Sequence, residues 1–416
     1  MAFFDSLRGR AYSLLRSSER YTKTDMVYLS SGSFWLFFSQ GVTVLLSFVL
    51  AVAFANLLEP EKFGNYKYIL SLAGIIGAFT LTGLGTAVTR ASARGHDGTF
   101  LYAFRKSLVW SVGMLVIAGV GGIYYFIQDN VFLGTSLFII GATAPVISAA
   151  SLYRPFLMGK KQFRVASLLG VVQGAIPTLS VLGALLLGAP LIILVATYFV
   201  SNIATFWILY KQSKQYIENE SVDPATNHIG KHLSIMGVVS TIAGKLDSVL
   251  VFQLLGGTEL AIFALATSLP DTIRGSFKNF DALAMPKFAK KTKSEMKRAV
   301  WSKTVAFFAL TVIVAVAYIL LAPFLFKTFF SQYLEAIVFT QVYVLIIPLS
   351  FVLASSYFDS QAAVKERYIL SITNNILKIA TTVAGIFFFG IWGAIAARLL
   401  TRFVNVLLSA FFIAKH

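Results

Sequence analysis

Residues 245–281 read KLDSVLVFQLLGGTELAIFALATSLPDTIRGSFKNFD, two apolar runs joined by Gly256-Gly257 with charge set inside them. Lys245 and Asp247 sit in the first run, and Asp271, Arg274, Lys278 and Asp281 follow in the second at spacings of three, four and three. On a 3.6-residue period those four share one helix face. A charge at the centre of a membrane helix costs roughly 2.5–3.5 kcal/mol on insertion scales, so this face must look onto protein or a wet cavity. Salt bridging, Asp271 with Arg274 and Lys278 with Asp281, would explain the pattern as helix-to-helix glue. A polar pathway through a membrane protein is the reading that the other segments favour.

The composition sets the class. Of 416 residues 57% are hydrophobic and 13% charged, and the mean hydropathy is +0.76, beyond what a soluble surface tolerates. The chain reads as an all-α integral membrane protein. At about 20 residues per span, its apolar runs resolve into about twelve transmembrane helices, near 31–57, 66–90, 104–127, 131–153, 165–188, 190–210, 232–255, 259–284, 300–326, 334–358, 368–390 and 391–414. There is no cysteine, hence no disulfide or thiol chemistry. Residues 1–28 are polar and Arg-rich, unlike a cleavable signal. Phe3, Phe4, Leu7, Ala11, Leu14 and Leu15 share a face there, as in an interfacial helix.

The net charge of +17 does not indicate nucleic acid, because the bases follow a topological rule. With the N-terminus inside, 26 Lys and Arg fall in inside segments, whereas outside loops hold only Lys62, Lys67 and Lys327. That asymmetry is the positive-inside pattern, with both termini cytoplasmic. The basic loop at 285–299 reads as an anchor on anionic headgroups.

Residues 211–231 form the longest inside connection, a polar stretch expected to tolerate change, and divide the chain into an N-terminal segment 1–30, a lobe 31–210 and a lobe 232–416. A weak repeat supports this: Leu57, Leu58, Phe63, Gly64, Tyr66, Ser71 and Leu72 have counterparts 197 residues on, at Leu254, Leu255, Leu260, Ala261, Phe263, Ser268 and Leu269. Six spans separate the copies, so two six-helix lobes related as parallel repeats are expected.

Charge inside spans concentrates in the second lobe. Lys245, Arg274, Lys278, Lys378, Arg398 and Arg402 face only Asp247, Asp271 and Asp281, so pairing cannot neutralise them all. Arg398 and Arg402, four apart, share a helix face. Guanidinium forks in a wet membrane cavity suit phosphate, whose oxygens they bind bidentately. These two are the candidate phosphate pair, with Arg274, Lys378, Lys245 and Lys278 as further substrate contacts. Asp247, Asp271 and Asp281 are candidates for ion coupling, by H+ or Na+, or for salt bridges. Gln40, Asn56, Gln173, Asn202 and Asn375 are polar candidates for sugar contact, although each would serve equally as an interhelical hydrogen bond worth about 0.6 kcal/mol.

The segments LLEPEKFGNY at 57–66, GLGTAVTR at 83–90 and DSVL at 247–250, followed by Leu254-Leu255-Gly256, resemble those of polysaccharide-biosynthesis flippases. These are the Wzx-type O-antigen translocases of the multidrug/oligosaccharidyl-lipid/polysaccharide (MOP) exporter superfamily. The resemblance extends over the chain in length and span count and departs at Lys245 and around Gln253. It implies a V-shaped pair of lobes in the bacterial inner membrane that moves an undecaprenyl-pyrophosphate-linked oligosaccharide to the periplasmic leaflet. Its partners would be that lipid, the membrane and other polysaccharide-assembly proteins. Two other classes remain: an ion-coupled drug or organic-cation antiporter, which should show unpaired acids, and a non-transporting scaffold. An enzyme is not expected, since His96, His228, His232 and His416 fall in inside loops, near the inner interface or at the tail; neither a metal nor a cofactor is implied.

Overall fold

The computed structural model describes residues 26–288, 293–350 and 364–415, and every long element among them is a helix. The first half runs α1 (Met26–Leu57), α2 (Pro60–Gly77), α3 (Leu84–Ala93), α4 (Thr99–Trp110), α5 (Val112–Ile127), α6 (Val131–Ala150), α7 (Tyr153–Gly159), α8 (Phe163–Leu186) and α9 (Leu191–Ser213). The second half runs α10 (Thr226–Leu255), α11 (Gly257–Phe288), α12 (Lys293–Phe329), α13 (Ala336–Tyr343), α14 (Ile346–Leu349) and α15 (Val364–Lys415). The interfacial helix expected at the start of the chain lies outside the described residues, as do the side chains of the loop at 285–299.

Local chemistry sets the boundaries. Pro60 opens α2, where its fixed φ and missing N–H cost nothing. Asn130 caps α6, its side-chain oxygen accepting from Leu133 N at 3.0 Å. Gly256 ends α10 at φ 104, a backbone region that excludes most side chains. Gly390 breaks α15 at φ 57 and ψ −133. Across that break the chain doubles back, because a Cβ placed on Gly393 would lie 1.8 Å from the Gly385 carbonyl oxygen. Helices expected to meet at 390/391 do so.

Among the described residues eight helices are long and apolar enough to span a membrane. Their lipid side is legible as exposed apolar stripes, for instance Val116, Val120 and Ile123 on α5 and Ile313, Val316 and Leu320 on α12. The expected second span is instead two pieces, α2 and α3, separated by a short break. The tenth is likewise the pair α13 and α14 within residues 334–350. Lys67, placed in an outside loop by its sequence context, lies inside α2.

α2 and α11, both interrupted by charge, pack on one another. Their contact is backbone to backbone, since a Cβ on Gly64 would sit 1.7 Å from the Gly257 carbonyl oxygen. Around this crossing one aromatic core joins both halves: Phe54, Phe63 and Tyr66 from α1 and α2 with Phe263, Phe326, Phe330 and Tyr333. Polar bonds cross there too. Asn56 Nδ2 donates to the Phe329 carbonyl at 2.8 Å, and Gln253 Nε2 donates to the Tyr68 and Tyr125 hydroxyls. A second core, with Phe100 stacked on Phe156 and Phe104 on Tyr210, belongs to the first half alone.

The connection at 211–231 is not a loose tether. Asp97, fully buried, receives Lys160 Nζ at 2.9 Å and the Glu218 N–H at 2.9 Å. Asn219 Nδ2 donates to the Gly95 carbonyl, and the Asp223 N–H to Thr99 Oγ1. Burial opposes the Lys160 ammonium, but its hydrogen bonds and charge contacts with Asp97 and Glu218 outweigh that and raise its pKa above the ordinary lysine value. The segment is thereby fastened to the first half, a constraint that its polar composition did not reveal.

Candidate functional site

A cavity of about 400 Å3 opens within the second half. Each wall is one helix face. Ser240 and Gly244 lie one turn apart on α10, Asp271 and Arg274 line it from α11, and Tyr343 and Ile346 from α13 and α14. The two arms of α15 supply the rest, Ser371, Asn374, Asn375 and Lys378 before Gly390 and Arg398, Thr401, Arg402 and Asn405 after it. Both sets have the spacing 0, 3, 4, 7, which puts four residues in line along a helix. The fold-back at Gly390 turns the two lines to face one space.

Arg398 is the fixed centre. Its Nε donates to Asp247 Oδ2 at 2.5 Å, and its Nη1 to Asp271 Oδ2 at 3.2 Å and to the Tyr343 hydroxyl at 2.9 Å. The guanidinium also lies 4.8 Å from the Phe263 ring centre, a cation–π distance. Asp247 is completely buried and otherwise accepts from the Ser248 N–H at 2.8 Å. Asp271 takes a third partner in Arg274 Nη2 at 3.0 Å and a fourth in the Tyr343 hydroxyl, which donates at 3.0 Å. Arg398, expected with Arg402 as the phosphate pair, thus binds the carboxylates of two neighbouring helices, a pairing that sequence spacing along a single helix does not reveal.

Lys378 and Arg402 have no ion-pair partner among the described residues. Four bases, Arg274, Lys378, Arg398 and Arg402, thus face two acids, Asp247 and Asp271, around one cavity. Arg274 Nε and Asn374 Oδ1 are buried without a hydrogen-bond partner. The cavity thus offers positive charge, free donors and a free acceptor among amides and hydroxyls.

Other candidates go elsewhere. Lys245 is exposed, its stem running along Gly74 of α2, and it does not line the cavity. The side chains of Lys278 and Asp281 lie outside the described residues. Of the polar candidates only Asn375 lines the cavity. Asn56 ties α1 to α12, Gln173 accepts from the Tyr153 hydroxyl at 2.7 Å, and Asn202 bonds the Tyr198 carbonyl of its own helix. Gln40 lies on α1, away from the cavity lining. Tyr343, Ser240, Ser371, Asn374, Thr401 and Asn405 join the lining unforeseen. The repeated 0, 3, 4, 7 polar spacing was the signal for the four of these that lie on α15.

A family model described as polysaccharide biosynthesis protein matches residues 29–290. Among solved structures, an inward-facing multidrug resistance MATE family transporter of the MOP superfamily aligns at TM-score 0.66 and 14% identity, over 90% of this chain and 95% of that one. An outward-facing form of such a transporter aligns at TM-score 0.61 and 14% identity, over 92% and 96%. A MOP superfamily transporter from Pyrococcus furiosus, described as having a binding pocket of reverse polarity, aligns at 0.53 and 14%, over 92% and 95%. At these identities the likeness is one of fold. No curated protein matches the sequence.

Proposed function

Because the chain belongs to the polysaccharide biosynthesis protein family, we propose that it is a flippase for an undecaprenyl-pyrophosphate-linked oligosaccharide, moving it from the cytoplasmic to the periplasmic leaflet. The observation that carries this reading is the surplus of charge in the cavity, where Arg274, Lys378, Arg398 and Arg402 outnumber the carboxylates and Lys378 and Arg402 make no ion pair among the described residues. A pyrophosphate head supplies the missing negative charge, and sugar hydroxyls match a lining that both donates and accepts. The lipid tail would stay in the bilayer. Arg402, Lys378 and Arg274 are the anion contacts, and Arg398 holds the site together.

Transport proceeds by rocking of residues 31–210 against 232–416, with residues 218–223, bonded to Gly95, Asp97 and Thr99, moving as part of the first lobe. The positive-inside bias assigns both termini to the cytoplasm of a bacterial inner-membrane protein, which puts the shared aromatic core at the periplasmic end. This conformation is then closed to the periplasm. A cation antiporter would need a free carboxylate, but Asp271 in the lining and Asp247, buried behind it, are both held by Arg398. The same pairing leaves H+ or Na+ coupling without an open acid there. Other polysaccharide-assembly proteins are the natural partners.

The test is disruption of the gene followed by complementation, scoring lipid-linked oligosaccharide by leaflet. Accumulation on the cytoplasmic face, relieved by the wild type and not by Arg402→Gln, is expected. An unchanged distribution in the disrupted strain rules the reading out.

A further inference from the structure

The cavity already contains an anion. Asp271 Oδ1 meets Arg274 Nη2 at 3.0 Å and accepts from the Tyr343 hydroxyl at 3.0 Å, while Oδ2 meets Arg398 Nη1 at 3.2 Å. The two arginines on this carboxylate are not equivalent. Arg398 is anchored by Asp247 and Tyr343 as well, so it stays whatever Asp271 does. Arg274 is held through one terminal nitrogen, and its Nε is buried with no acceptor.

Removal of Arg274 would therefore leave Asp271 satisfied by Arg398 and Tyr343. Arg274, in turn, would gain on a phosphate what it lacks on Asp271, a second acceptor for the Nε edge of its fork. We propose that Asp271 is a built-in competitor that occupies Arg274 in the empty protein, and that a pyrophosphate-type ligand binds by taking Arg274 from it. This rests on the anionic-ligand reading of the cavity and adds a rule for selection. A singly charged anion meets Lys378 and Arg402 but gains too little to strip Arg274 from a carboxylate one turn away on its own helix. A polyvalent anion reaches all three bases at once. Asp271 thus screens the site against small anions that outnumber the substrate.

The experiment is calorimetric titration of the full-length purified protein with inorganic pyrophosphate and, in parallel, with chloride. Asp271→Asn keeps the shape and deletes the competing charge, so it should bind pyrophosphate tighter, by on the order of tenfold, within the usual range of coupling between two sites, and should newly respond to chloride. Arg274→Gln should bind weaker, and Asp271→Asn combined with Arg274→Gln should be no tighter than Arg274→Gln alone. Asp271→Ser serves the same purpose should the Asn variant fold poorly. Farnesyl pyrophosphate, carrying the same head on a lipid, separates a membrane-borne ligand from a free one by its added affinity. If Asp271→Asn is no tighter, or its gain survives without Arg274, the competitor is refuted, while loss of binding in Lys378→Gln with Arg402→Gln still upholds the anion site. If no cavity substitution alters pyrophosphate binding, the anionic reading falls with it.

Discussion

Replacing Arg398 by Ala should damage the fold before it damages recognition. The substitution removes bonds to Asp247 at 2.5 Å, Asp271 at 3.2 Å and Tyr343 at 2.9 Å. Asp271 keeps Arg274 and Tyr343, so the cost concentrates on Asp247, which has no exposure to water and retains only the Ser248 N–H and a long 3.5 Å contact from the Ser248 hydroxyl. Stranding one member of a buried pair costs about 3–5 kcal/mol, a large share of the 5–15 kcal/mol that typically separates folded from unfolded. Arg402→Ala strands no carboxylate and should stay within about 1 kcal/mol of wild type. Thermal unfolding of the detergent-purified variants, alongside their abundance in membranes, reads the difference. Adding Asp247→Asn to Arg398→Ala removes the stranded charge and should recover at least half the loss. Equal stability of Arg398→Ala and wild type, or no recovery in the double variant, would refute the assignment of Arg398 as the structural centre.

Lys378→Gln and Arg402→Gln should each lower transport about tenfold or more at matched expression, with Arg402→Lys intermediate because it keeps charge without the fork; transport is scored by polysaccharide export in a complemented strain. Asp97→Ala should destabilise by about 2–3 kcal/mol, since it leaves Lys160 and the Glu218 N–H without their buried acceptor, and limited proteolysis should then cut within 214–226. The raised Lys160 pKa fixes the sign of the pH effect: the stabilisation is fully present below the ordinary lysine value and lost as pH rises through the higher folded one. Proteolysis across the neutral range should therefore be flat. Gly64→Ala should cost at least 1–3 kcal/mol of overpacking, because its Cβ would fall 1.7 Å from the Gly257 carbonyl oxygen; cysteine cross-linking between α2 and α11 in this cysteine-free chain should lose efficiency.

Much of the fold was legible because the bilayer imposes long apolar runs, and the breaks at Gly256 and Gly390 carry their own signal. The charged residues of the cavity were legible for a related reason: Asp271, Arg274, Lys378, Arg398 and Arg402 are too costly to face lipid. Their partners were not. Arg398 finds Asp247 and Asp271 across 151 and 127 positions of chain, and pairing by helix spacing favoured the nearer acids. Lys245 is charged in the same way, yet one residue of helical rotation from Gly244 carries it out of the cavity and onto α2. Asn56 and Gln173 are polar in the manner of ligand contacts, but packing gave them interhelical work.

The doubled-back C-terminal helix α15 also has a bearing on biogenesis. Synthesis runs from the N-terminus, so Asp247 and Asp271 enter the membrane well before Arg398 is made. Until then Asp247 is an acid without its counter-charge, and the second lobe cannot close around it. The last arm of the chain therefore acts as a completion signal: a nascent protein stopped short of residue 398 carries an exposed intramembrane carboxylate, the kind of defect by which membrane quality control can tell an unfinished chain from a finished one.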